Sequence, residues 1–304
     1  MKIAVAFFSC VILVMAQPKP PGKLVSIGSR KIHIHCVGQR NGPAVVFVNG
    51  VPRFSFHFAL VQPQVAMFTR ACVYDRAGEA WSDPMPGPPS AEATLEELNA
   101  VIAKVGDSRP VILAGHSFGG VIARAYQRKY PQRVAGLVLI DSPHPDAATV
   151  SVNGKQKRMA DLTAEDCQAV AAAHKDRPPA PDPKIEPPFD KLPAALQPAH
   201  LWAMKKWQDE SRRIDTAAAL QYLADFYRAI KDTTYTDLPI VVITRAKSDK
   251  DEDVWIDQQR RIAATSIRGV LIKAIGSGHD IELEQPDTVA SQGVGAILAM
   301  IPRR

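Results

Sequence analysis

The turn Gly115-His116-Ser117-Phe118-Gly119 constrains this chain more than any other stretch, because it joins an apolar run, Val111-Ile112-Leu113-Ala114, to a helix-like segment from Gly120 to Tyr130. The pattern reads as strand, sharp turn, helix, with a serine at the apex. Lifting a serine clear of a sheet in this way strains its backbone and leaves no room for bulk on either side. Glycine stands at both flanking positions and again at Gly120.

The rest of the chain supplies the setting such a turn needs. Leu24 to Ile27 and Lys31 to Val37 flank Gly28-Ser29 as a hairpin. Ala44 to Val48, Ala71 to Tyr74, Val111 to Ala114 and Val134 to Ile140 are continuously apolar. Strands apolar on both faces are covered on both faces, as in a parallel sheet between helices. Ser90 to Val105 carries Leu95, Leu98, Val101 and Ile102 at helical spacing. Together these predict a mostly parallel α/β sheet built from βαβ units.

Between His144 and Thr236 the alternation stops. A stretch with eight prolines, 177–198, precedes two helical segments, Pro198 to Arg213 and Thr216 to Lys231. Residues 144–236 are expected to form a mostly helical cap, set into a core of 17–143 and 237–304. Strands resume at Pro239 to Thr244 and Gly269 to Ile275, with a helix from Val254 to Ala264 between them and a closing helix from Thr288 to Met300.

Lys2, the apolar run Ile3 to Met15 and the small residues Val14 and Ala16 have the layout of an export signal over 1–16. The run is shorter than the roughly 20 residues of a spanning helix, so no stable membrane anchor is expected. Export would place the mature chain in a secreted or periplasmic setting. Of the cysteines beyond that segment, Cys36 and Cys72 lie in strand-like apolar stretches and read as buried free thiols, and with Cys167 they allow at most one disulfide. The formal charge of +6 is scattered, with no interleaved basic and aromatic pattern, so nucleic acid is not an expected partner.

A serine hydroxyl is a poor nucleophile unless a base lies within hydrogen-bond reach and a carboxylate fixes that base's tautomer. His279 is the preferred base: Gly276-Ser277-Gly278-His279 follows the last apolar strand, where a loop reaches the sheet's carboxyl edge. His33, His35, His57, His116, His144, His174 and His200 are worse placed. Two acids compete. Asp141 ends the strand Leu137 to Ile140; Asp249 follows the strand Pro239 to Thr244, in a mixed charge run whose carboxylates also suit the start of a helix. Asp141 is favoured, with Asp249 as the alternative.

Phe47-Val48-Asn49-Gly50-Val51-Pro52, Tyr74-Asp75-Arg76-Ala77-Gly78-Glu79-Ala80-Trp81-Ser82, the serine turn and Ser277-Gly278-His279 with Pro286 beyond it together resemble the α/β-hydrolase superfamily, from about Leu24 to Met300 outside the cap. The resemblance implies the α/β-hydrolase fold, with Ser117 as nucleophile and His279 as base. It also implies backbone oxyanion donors at Val51 and Phe118. Asn49 departs from the family's usual histidine and reads equally as a brace for that loop, a turn residue or a substrate contact. Trp202 and Trp207 in the cap read as pocket walls or as packing. The activity implied is hydrolysis of a small-molecule carboxylic ester through an acyl-enzyme. Amide, peptide or carbon-carbon bond hydrolysis, cofactor-free haloperoxidation and a non-catalytic binding role remain alternatives. Enzymes of this fold that open epoxides or cleave carbon-halogen bonds carry an aspartate where this chain has Ser117. No cluster of His, Cys and carboxylates has ligand spacing, so neither metal nor organic cofactor is expected.

Overall fold

A computed structural model describes residues 17–105, 108–246 and 252–302. The segment read as an export signal and the alternative acid Asp249 lie outside the described residues. The strands are β1 (Lys23–Ile27), β2 (Arg30–Val37), β3 (Val45–Val48), β4 (Ala71–Tyr74), β5 (Val111–His116), β6 (Val134–Ile140), β7 (Thr149–Val152), β8 (Lys155–Arg158), β9 (Ile240–Ala246) and β10 (Gly269–Ile275). The helices are α1 (Gln62–Ala66), α2 (Ala91–Val105), α3 (Phe118–Lys129), α4 (Ala164–His174), α5 (Gln197–Ser211), α6 (Thr216–Ile230), α7 (Glu252–Ala263), α8 (Ile281–Glu284) and α9 (Ala296–Met300). A wider-turned stretch, Thr288–Gly295, leads into α9.

Eight strands form one sheet in the order β1-β2-β4-β3-β5-β6-β9-β10. The β1–β2 and β2–β4 pairs are antiparallel and all later pairs parallel. The continuous apolar runs have a simple cause, since successive side chains leave a strand on opposite faces. Val46, Val48, Leu113, Leu137 and Leu139 pack with Leu98 and Ile102 of α2 and Val121 and Ile122 of α3. Val45, Phe47, Ile112, Ala114, Val138 and Ile140 meet Val65 of α1 and Val289, Val294 and Ile297 on the other face. Each fully buried aliphatic side chain contributes roughly 1.5–3 kcal/mol, so the parallel strands at the sheet's centre are anchored on both sides.

The sheet corrects the expectation of free thiols. Cys36 on β2 and Cys72 on β4 are register partners and are joined by a disulfide. Their pairing depends on β4 inserting beside β2, which neither cysteine's local sequence encodes. Cys167 is free and buried.

The insertion between β6 and β9 contains α5 and α6, matching the two helical segments read from the sequence, and also α4 and a hairpin, β7 with β8. Asn153 and Gly154 turn that hairpin with φ of 49° and 80°, the left-handed pair that matches strand twist. The proline-rich stretch is held at its end by Leu192, which packs with Ala199 and Ala203 against Phe54, Phe56 and Trp81. On α6, Phe226 meets Phe118 edge-on at 5.4 Å. These contacts seat the insertion on the loop after β3 and on the start of α3. Among the described residues no helix is long and apolar enough to cross a membrane.

Candidate active site

Ser117 joins β5 to α3 with φ 51° and ψ −125°, a conformation that costs a non-glycine residue on the order of 1–3 kcal/mol. The surroundings force it. Its N–H donates to the carbonyl of Ile140 at 2.8 Å, and α3 crosses close under the strand ends. A Cβ on Gly119 would lie 2.0 Å from the carbonyl oxygen of Val48, and one on Gly115 would lie 2.5 Å from that of Gly119. Those glycines are needed for close approach, as the sequence pattern implied.

β5 and β6 are parallel neighbours with His116 opposite Ile140, so the residues that follow them, Ser117 and Asp141, emerge side by side. Asp141 is fully buried and also has a positive φ, 44°. Its carboxylate accepts from His279 Nδ1 at 2.6 Å, Arg245 Nη1 at 2.5 Å, the Arg245 backbone N–H at 3.1 Å and Trp255 Nε1 at 2.9 Å. Burial pushes this carboxyl up, but the hydrogen bond and charge of His279, together with Arg245, outweigh it and hold Asp141 below its ordinary value. A carboxylate only accepts, so Nδ1 of His279 carries the hydrogen and Nε2 of the neutral ring is left as a base.

His279 follows β10, two strands beyond β6, and its loop folds back over the serine turn. The His116 and His279 rings lie 4.7 Å apart, and His116 Nε2 is 2.9 Å from the carbonyl oxygen of His279. Gly278 N–H donates to Glu284 at 2.9 Å, closing the loop. The structure therefore gathers Ser117, His279 and Asp141 at one sheet edge. Arg245 and Trp255 join them as holders of Asp141. Nothing in the local sequence singles out Arg245, although its place near the end of β9 is a position from which side chains reach this edge.

Phe118 is the first residue of α3, so its N–H has no acceptor within the helix. Val51 sits on the loop after β3 and is 45% exposed. That loop approaches the serine closely: a Cβ on Gly50 would be 3.0 Å from Ser117 Cβ. Arg76, buried, holds the loop by donating to the carbonyl oxygens of Asn49 and of Gly50, the latter at 2.8 Å, while pairing with Glu79. Arg76 and Glu79 stand in the motif Tyr74 to Ser82, whose sequence alone does not show that they hold this loop.

Asn49 corrects one expectation. It is 1% exposed and its amide donates to the carbonyl of Tyr74 at 2.9 Å, so it braces the loop and does not face a substrate. Trp202 and Trp207 lie in the packing layer between insertion and core, Trp202 with its ring 5.6 Å from Trp81. Among the described residues one group of metal-capable side chains converges: His116, Asp280 and Glu282, all buried, with ligand atoms within 4.8 Å of one another. Asp280 is already paired with Arg53 at 2.6 Å.

Residues 45–292 match the profile described as the alpha/beta hydrolase family. An uncharacterised protein of Schizosaccharomyces pombe is 23% identical over 233 residues, 73% of this chain and 40% of its own length. Epoxide hydrolase 4 of Mus musculus is 25% identical over 121 residues, 39% of this chain and 33% of its own. The chain thus spans less than half the length of these curated relatives. Among solved structures, a thermophilic esterase from Thermogutta terrifontis superimposes with a TM-score of 0.58 at 20% identity, covering 90% of this chain and 95% of that one. The epoxide hydrolase A of Mycobacterium thermoresistibile gives a TM-score of 0.64 at 16% identity, with 94% and 100% covered.

Proposed function

The chain belongs to the alpha/beta hydrolase family, and on that premise we propose that it is a serine hydrolase that cleaves small carboxylic esters through an acyl-enzyme. The observation that carries the reading is the strained Ser117 beside a buried Asp141 whose carboxylate holds His279 Nδ1 at 2.6 Å. Ser117 Oγ attacks the ester carbonyl while His279 Nε2 takes its proton. The carbonyl π electrons move onto oxygen, and the N–H groups of Phe118 and Val51 bind that oxyanion. Collapse breaks the bond to the alcohol oxygen, which leaves with the proton from His279. Water then attacks the acyl-enzyme, gives a proton to His279, and the acid departs as Ser117 recovers its hydrogen. Asp141 stays ionised throughout and stabilises the imidazolium.

Relatives named as epoxide hydrolases widen the range of chemistry found on this fold. A covalent opening of an epoxide by direct attack needs a carboxylate at the turn, where this chain has Ser117, and this favours acyl transfer. Export of the mature chain is proposed alongside, supported by the Cys36–Cys72 disulfide, which persists in oxidising compartments. With p-nitrophenyl butyrate the wild type should turn over, and Ser117→Ala should lose at least ~10³-fold in kcat. A Ser117→Ala protein with full esterase activity would overturn the proposal.

A further inference from the structure

His116, the last residue of β5, and Glu282, on α8, meet beneath the loop that carries His279. Both are 1% exposed, and His116 Nδ1 stands 3.4 Å from a Glu282 carboxyl oxygen. On the other side of its ring, His116 Nε2 faces the carbonyl oxygen of His279 at 2.9 Å. A carbonyl oxygen only accepts, so Nε2 carries a hydrogen. A neutral His116 then turns a lone pair toward Glu282. An ionised carboxylate at that point would set acceptor against acceptor in a buried place. Among the described residues neither Glu282 oxygen nor His116 Nδ1 has a hydrogen-bond partner, so nothing else relieves the conflict. The two groups need one proton between them.

We propose that Glu282 and His116 are a positioning pair that shares one buried proton and clamps the main chain of His279, keeping its imidazole in line with Ser117. The proposal rests on the serine-hydrolase reading. The charged and titratable groups facing the pair are Asp280, Arg53, Asp141, His279 and His57. Burial, then the Asp280 carboxylate, holds the Glu282 carboxyl well above its ordinary range; Arg53 opposes this and Asp141 adds to it. Burial, then the His279 charge, pushes His116 down to about 3. The proton therefore resides on Glu282, which donates to Nδ1. A cation held by His116, Asp280 and Glu282 is the rival occupant. Arg53, already paired with Asp280, sets a positive charge against it.

The test compares wild type with Glu282→Gln and Glu282→Leu. As pH rises and Glu282 ionises, the wild-type clamp is lost, so kcat should fall on the alkaline side with KM little changed. Glu282→Gln replaces the O–H donor with a non-titrating N–H, so it should keep kcat within about threefold and lack that alkaline fall. Glu282→Leu removes the donor and should lower kcat on the order of 10- to 100-fold, because small misplacements of a catalytic group are costly. Nitrogen NMR of the His116 ring should show the Nε2–H tautomer with Nδ1 hydrogen-bonded in wild type and Glu282→Gln, and Nδ1 free in Glu282→Leu. That spectrum does not depend on turnover. It also serves if the Leu variant fails to fold, because wild type and Gln suffice. Failure of the hydrolase reading would instead appear as an inactive wild type with the same His116 spectrum. The pair is refuted if Glu282→Gln keeps the alkaline fall, if Nδ1 is not hydrogen-bonded, or if chelation abolishes activity and zinc alone restores it.

Discussion

Replacing Asp141 with asparagine isolates the part of the site that the structure defines most fully. The carboxylate is fully buried and accepts four close hydrogen bonds, at 2.5, 2.6, 2.9 and 3.1 Å, from Arg245, His279, Trp255 and the Arg245 backbone. Asparagine keeps the shape but turns an N–H₂ toward one of these donors and removes the charge that stabilises the His279 imidazolium. The expected loss is on the order of 10⁴-fold in kcat, about 5.5 kcal/mol in the barrier. KM should hardly change, since a residue with no exposed surface touches no substrate. Stability falls as well. Breaking a fully buried ion pair costs roughly 3–5 kcal/mol, and because the Arg245 side chain is 32% exposed the figure is discounted to about 2 kcal/mol. The folded-state pKa of Asp141 is depressed, so its stabilisation is present above the ordinary carboxylate value of 3.8 and is lost as pH falls through the lower folded value. Thermal melts of Asp141→Asn should therefore lose less stability on acidification below that value than those of the wild type. Steady-state ester hydrolysis, with Asp249→Asn in parallel, is the assay. An Asp141→Asn enzyme within tenfold of wild-type kcat, beside an inactive Asp249→Asn enzyme, would refute the reasoning and move the acid to Asp249.

Arg76→Met should release the carbonyls of Asn49 and Gly50 and leave Glu79 without its partner, costing about 3–5 kcal/mol in chemical denaturation and lowering kcat more than it raises KM. The Cys36–Cys72 disulfide closes a loop with a sequence separation of 36, so Cys36→Ser with Cys72→Ser should lose about 4 kcal/mol by the chain-entropy relation, while an unchanged melting temperature would contradict the pairing.

Local signals carried most of the fold. Val111 to Ala114 before the glycine-flanked Ser117, and helical spacing after it, specify strand, turn and helix within a few residues, and the structure follows them. The hairpin β7–β8 had its own signals in Asn153-Gly154 and in the short alternation Thr149-Val150-Ser151-Val152, but β8, Lys155–Arg158, is basic and mostly exposed, without the apolar alternation that marks a strand. Pairings made across the sheet were not legible. Cys36 meets Cys72 because β4 lies between β2 and β3, and Arg76 reaches the Asn49 carbonyl because β3 and β4 are neighbours. Likewise Glu282 reads as one acid in Glu282-Leu283-Glu284, and only the return of the His279 loop over His116 gives it a partner. The carboxylate of Asp141 against His279 Nδ1, a contact spanning 138 residues, was not legible in the sequence either, while Asp249 lies outside the described residues.

The central claim is that Ser117 is the activated nucleophile. Incubating the folded wild type with a fluorophosphonate and mapping its peptides by mass spectrometry should place one phosphonyl adduct on Ser117, with none on Ser117→Ala and slow labelling of Asp141→Asn. Folded wild-type protein that stays unlabelled, or an adduct on a different residue, would contradict the account.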